Sequence, residues 1–119
     1  MNVLIVESQP ELGTLWKRHL ERHGAQVTLV HDQTQAVEAL QAAEYEVMVL
    51  DLVLKVGSAL AVSDFASFWQ PQVRVIFVTN TSFFSDGSIF AHSRNACAYV
   101  QSSTPASDLT AMVEHYAMH

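Results

Sequence analysis

Apolar positions fall into short clustered runs separated by stretches with three- and four-residue periodicity. The run EVMVLDLVL at 46–54 holds four apolar residues, an aspartate and three more apolar residues. It reads as a central strand covered on both faces, because a strand with one wet face alternates apolar and polar positions. VLIV at 3–6 and VRVIFV at 73–78 are of the same kind, and QVTLV at 26–30 and ACAYV at 96–100 complete five predicted strands. Between them lie helical patterns. Pro10 suits a first helical turn, and Leu12, Leu15, Trp16, His19, Leu20 and His23 share one face up to the stop at Gly24. Asp32 caps a second helix with Ala36, Val37, Leu40 and Ala43 turned inward. Gly57 and Ser58 turn and cap a third, carrying Leu60, Ala61, Asp64, Phe65, Phe68 and Trp69 and ended by Pro71. The segment 81–94 is expected to be helical despite Asp86, Gly87 and its serines, with Asn95 closing it in the left-handed conformation. Thr104 caps and Pro105 begins a last helix lined by Leu109, Met112, Val113 and Tyr116.

Five alternations of strand and helix predict an α/β fold, a doubly wound (βα)5 sandwich on a parallel five-stranded sheet. Such sheets collect chemistry beyond the carboxyl ends of their strands. With the flavodoxin-like strand order 2-1-3-4-5, the first and third strands are neighbours and bring Glu7 and Asp51 together. Thr79 and Ser102 follow from the next two strand ends. Two adjacent carboxylates repel, raising one pKa unless a cation separates them, and Mg²⁺ is the natural hard partner for carboxylates, a backbone carbonyl and water.

Composition narrows the function classes. Half of the 119 residues are apolar and 15% are charged, which suits one globular domain rather than a disordered chain. The expectation is a single domain with no effector domain. Twelve acids against six bases give a net charge of −6, and phosphate neutralisation needs a basic face, so nucleic acid is not an expected partner. The lone Cys97 forms no intramolecular disulfide and fits a reducing compartment as a buried structural thiol. The start MNVLIVES lacks a basic n-region, and nothing approaches the about 18 apolar residues of a membrane span. A cytoplasmic chain without membrane contact is expected. The six histidines are scattered and are expected to be solvated or packed. Without GxGxxG, GxxxxGK[ST] or a motif-supported nucleophile and base, the chain is not expected to be an enzyme. A small nucleotide-binding protein or enzyme on the same fold is the remote alternative.

The apolar first strand with its polar pair, VLDLVL around Asp51, the loop ending in GSAL, the VIFVTN strand and the AYVQSSTPASDL tail resemble, nearly without gaps, the receiver domain of two-component response regulators, the CheY-like superfamily. The resemblance implies phosphorelay signalling, with Asp51 as phosphoacceptor, a histidine kinase or phosphotransfer protein as donor and Mg²⁺ as cofactor. It implies Glu7, Asp51 and the Val53 backbone carbonyl as metal ligands, Thr79 as the switch hydroxyl, and Tyr99 as the aromatic that reports the state to a downstream protein. The face near Tyr99, Phe90, Ala91 and the last helix would also be the surface for a homodimer.

Three departures mark an atypical, stand-alone member. Glu7 and Ser8 stand where the family has two adjacent acids, and Ser102 and Ser103 stand where it has lysine then proline. Lys55 and Val56 replace the proline and the acidic or polar residue of the loop after the acceptor, and Lys55 can return some positive charge near Asp51. A serine at the lysine position offers a neutral donor on a short arm, and charge-assisted hydrogen bonds are roughly twice as strong as neutral ones. Two readings follow. One is an atypical receiver that takes phosphate on Asp51 and signals through protein contact; the other is a pseudo-receiver that keeps the fold as a phosphate-independent binding or dimerisation module.

Overall fold

A computed structural model describes residues 1–80 and 94–118. Five strands, β1 (Asn2–Val6), β2 (Gln26–Val30), β3 (Val47–Asp51), β4 (Arg74–Thr79) and β5 (Ala96–Gln101), form one parallel sheet in the order β2-β1-β3-β4-β5. The described helices are α1 (Pro10–Arg22), α2 (Gln33–Ala42), α3 (Ala59–Trp69) and α4 (Ala106–Ala117). The helix expected at 81–94 lies outside the described residues except for Arg94, which sits in a turn.

The central strands are buried along their whole apolar length because successive side chains feed opposite cores. Leu4, Val6, Met48, Leu50, Val75 and Phe77 pack with Ala36 and Leu40 of α2 and Val62 and Ala66 of α3. Val3, Ile5, Val47, Val49, Ile76 and Val78 pack with Trp16 and Leu20 of α1 and Leu109 and Val113 of α4. A strand with helices on both faces has no wet side, which is why β1 and β3 read as unbroken apolar runs.

Local punctuation follows the chain's polar residues. Pro10 opens α1, and Gly24 follows its end at φ +91. The Asp32 carboxylate accepts from Gln35 N–H and caps α2, and the Ser58 hydroxyl accepts from Ala61 N–H and caps α3. Gly57 turns the chain into α3 at φ +94.

Several expectations give way to tertiary packing. Leu15 is 55% exposed, and Gly13 is buried on α1 instead, because the helix lies so close to β2 that a Cβ at Gly13 would stand 2.7 Å from Leu29 Cδ1. Ala43 is exposed, as α2 ends one residue earlier. The face of α3 turned to the core is Ala59, Val62, Ser63 and Ala66; Leu60, Asp64, Phe68 and Trp69 face outward, with Trp69 stacked on Phe65 at 5.8 Å. Small residues on the inner face let α3 lie close to the sheet, which leaves no room for the aromatics there. Asn95 has no positive φ. Pro105, not Thr104, occupies the N-cap of α4, and no side chain bonds that end. Cys97 is half-buried rather than fully buried: it is the extra residue of a bulge in β5, where Ala96 and Ala98 align with the consecutive Val75 and Ile76 of β4, and its thiol donates to the Val75 carbonyl at 3.4 Å.

Candidate functional site at the carboxyl end of the sheet

Strand register builds the site. Val6 is aligned with Leu50, so the next residues, Glu7 and Asp51, leave neighbouring strands side by side. Both acids are withdrawn from water, Glu7 to 2% exposure and Asp51 to 8%. Glu7 is anchored from several directions. Its backbone N–H donates to Val30 O at 3.0 Å, its carbonyl accepts from His31 Nδ1 at 3.0 Å, and its Oε2 accepts from Gln9 N–H at 3.0 Å.

Burial is the main force that pushes the Glu7 carboxyl up from 4.5 to about 8, and its hydrogen bond to Asp51 and the charge there push the same way. The Gln9 and Ser8 backbone N–H groups oppose the shift without reversing it. With no cation between the two acids, burial and the Asp51 charge thus favour the form of the pair in which Glu7 carries a proton.

The other Asp51 contacts close the pair off. Asp51 Oδ2 accepts from Ser8 Oγ at 2.7 Å and from Ser8 N–H at 3.3 Å, and Oδ1 accepts from Val53 N–H at 3.0 Å. Ser8 Oγ also lies 3.2 Å from the Val53 carbonyl oxygen. Sequence reasoning counted Ser8 only as a missing acid. Its hydroxyl is a built-in donor to Asp51, set beside the Val53 carbonyl, a role legible only once β1 and β3 are paired. His31 behind Glu7 was likewise missed, because no local pattern links it to a residue 24 positions away.

The remaining expected residues are brought to the same end. Thr79 closes β4 at 2% exposure, and its carbonyl accepts from Ser102 N–H at 2.7 Å. Ser102, Asn80 and Lys55 join Glu7, Ser8 and Asp51 around a cleft of about 190 Å³. Tyr99 is aligned with Phe77 on β5, half-buried and packed against the α2 and α3 core. Phe90 and Ala91 lie outside the described residues.

The donor set, two carboxyls and a carbonyl, is of the right hardness for Mg²⁺, but one acid fewer than the family pattern weakens it, and the Ser8 hydroxyl donates to the Asp51 carboxylate beside the Val53 carbonyl. Among the described residues no group of three His, Cys, Asp or Glu side chains converges as a metal site.

A (βα)5 sandwich with paired acids at the switch point between its first and third strands defines a class, and the sequence places the chain within it. The chain belongs to the response regulator receiver domain family, whose model matches residues 3–114. No curated protein sequence matches it. Among solved structures it is similar to the CheY-like receiver domain protein from Methanospirillum hungatei JF-1, with 17% identity, TM-score 0.89, and coverage of 98% of this chain and 93% of that one. It is similar to the receiver domain of sensor histidine kinase PA1611 from Pseudomonas aeruginosa PAO1, with 21% identity, TM-score 0.86 and coverage of 99% and 98%; that domain coordinates a magnesium ion in its active-site cleft. It is also similar to NtrX from Brucella abortus, with 18% identity and TM-score 0.87, where 98% of this chain spans 26% of that one. At these identities the likeness shows the fold. No described helix is long and apolar enough to cross a membrane.

Proposed function

We propose that this chain is a phosphate-independent receiver module, a pseudo-receiver that acts by binding another protein and has no catalytic activity of its own. The observation that carries the reading is the state of Asp51. Its carboxylate is already held by the Ser8 hydroxyl and N–H and by the Val53 N–H beside the buried Glu7, so a phosphoryl donor meets a buried, engaged group. Charge supports the same reading. Ser102 puts a neutral group at the strand end where the family places a lysine, and an added phosphoryl group there would lack the charge-assisted bond that stabilises it. The surface offered to the partner is the one around Tyr99 and α4, and a second copy of the chain is one candidate occupant.

The competing reading, phosphate acceptance on Asp51 from a histidine kinase or phosphotransfer protein with Mg²⁺ held by Glu7, Asp51 and the Val53 carbonyl, draws on one specific observation: Lys55 lines the same cleft and supplies a positive charge. Thr79 and Ser102 would then serve as the hydroxyl and backbone donors beside the phosphoryl group. Intact-mass analysis after incubation with acetyl phosphate and millimolar Mg²⁺ separates the two. The pseudo-receiver shows no phosphoryl mass gain. A phosphoryl adduct that Asp51→Asn abolishes overturns the proposal and restores the competing reading.

A further inference from the structure

The helix α3 is apolar on both sides. Its small residues face the sheet, and its large ones are turned outward in two rows at four-residue spacing, Leu60, Asp64 and Phe68 beside Ala61, Phe65 and Trp69. Leu60 is 41%, Phe68 79% and Trp69 50% exposed, and Asp64 is the single charged residue of the helix. Helices apolar all round are buried ones, and adjoining exposed apolar side chains mark a protein contact.

Flanking charges identify the occupant. Asp64 lies one turn before Phe68, toward the amino end of α3. Arg94 lies past the carboxyl end, where it is exposed and shares a groove with Phe68 and Pro71. Asn95 Nδ2 donates to the Gln70 carbonyl at 3.4 Å, which pins this turn to the end of the helix. Among the described residues neither Asp64 nor Arg94 has an ion-pair partner. Along the helix axis the order is thus acid, aromatic, base. A two-fold axis at Phe68 reverses that order in a second copy and sets each Asp64 against the other copy's Arg94, the self-complementarity that an isologous contact requires.

We propose that the outward face of α3 is the interface of a symmetric homodimer, in which two antiparallel α3 helices meet at Phe68 and an Asp64–Arg94 pair closes each end. Because α4 packs on the other face of the sheet, the surface it offers a different protein stays open in this dimer. An aromatic side chain buries about 150–250 Å² when fully covered. Phe65 and Trp69 are partly covered already, so each copy contributes less than the about 800 Å² per partner of a standard stable interface. The dimer is therefore weak and follows protein concentration.

Sedimentation equilibrium of the whole chain, from about 5 µM to about 1 mM, tests the interface. The expected result is a monomer–dimer equilibrium with a dissociation constant of about 10–500 µM and no larger species, because a two-fold contact closes at two copies. Phe68→Ser weakens it by about tenfold or more, while Leu15→Ser, at an exposed apolar residue of α1, leaves it unchanged. Asp64→Arg and Arg94→Asp each weaken association by about threefold or more, and the two together restore it to within about twofold of wild type. All four positions are exposed, so the variants keep the fold, which circular dichroism checks. A chain that stays monomeric to about 1 mM, open-ended polymers, a dimer indifferent to Phe68→Ser, or a double exchange that does not restore association overturns the proposal.

Discussion

Replacing Glu7 by glutamine isolates the Glu7 proton at the centre of the site. In the folded chain burial, aided by Asp51, raises the Glu7 carboxyl from 4.5 to about 8. Between those values the folded state holds a proton that the unfolded state has released. Stability therefore falls as pH rises, by as much as about 1.36 kcal/mol per pH unit. The contribution is fully present below pH 4.5 and is lost as pH passes through about 8, a swing of at most about 5 kcal/mol across that window. Glutamine copies the protonated acid: its amide donates to Asp51, its oxygen accepts from Gln9 N–H, and it does not titrate. Wild type and Glu7→Gln should thus be close in stability near pH 5, with the variant the more stable by several kcal/mol near pH 8.5. Urea unfolding followed by tryptophan fluorescence measures this, since Trp16 is only 1% exposed in the fold and becomes wet on unfolding. Titrations common to both chains cancel in the difference. A stability difference that stays constant across this pH range would refute this account of the Glu7 proton.

Other predictions address the scaffold. Gln70 accepts from Tyr45 N–H at 2.9 Å and donates to the Leu40 and Ala43 carbonyls at 2.7 and 2.6 Å, so it ties the end of α3 to the loop after α2. Gln70→Ala should cost about 3 kcal/mol in chemical denaturation, from net bonds of about 1 kcal/mol each and the buried groups left unpaired; a loss below about 1 kcal/mol would contradict that role. Gly24 and Gly57 both have positive φ, but a Cβ at Gly24 meets nothing within 4 Å whereas one at Gly57 collides with Gln33 Cβ. Both alanine variants should lose about 1–2 kcal/mol to backbone strain. Gly57→Ala should lose measurably more in thermal melts, and equal losses would remove the steric argument. Burial pushes the Cys97 thiol up to about 11, with Arg74 pulling weakly the other way. Its reaction with an aromatic disulfide at pH 8 should accordingly be about a hundredfold slower in the folded chain than in urea; equal rates would show the thiol to be freely accessible.

Much of the molecule is legible in its residue pattern for a plain reason. VLIV and VMVL are buried on both faces, as strands inside a parallel sheet are. Pro10, Gly24, Asp32 and Ser58 punctuate the helices through local φ restriction and side-chain caps, which depend on neighbours a few residues away. Asp51 and Glu7 are recognisable from their place just beyond those runs. Strand order and register decided the rest, because they join residues far apart in the chain. The alignment of Val6 with Leu50 sets Glu7 against Asp51, and the same pairing turns Ser8 from a lost acid into a hydroxyl donor to Asp51, 43 positions away. The inner face of α3 went to Ala59, Val62, Ser63 and Ala66 rather than to its aromatics, because closeness to the sheet is a property of packing and not of hydrophobicity alone. Periodicity could mark His19 and His23 as neighbours on a helix, but only the α1–α4 seam, through Thr110, determines which nitrogen of His19 faces the protein.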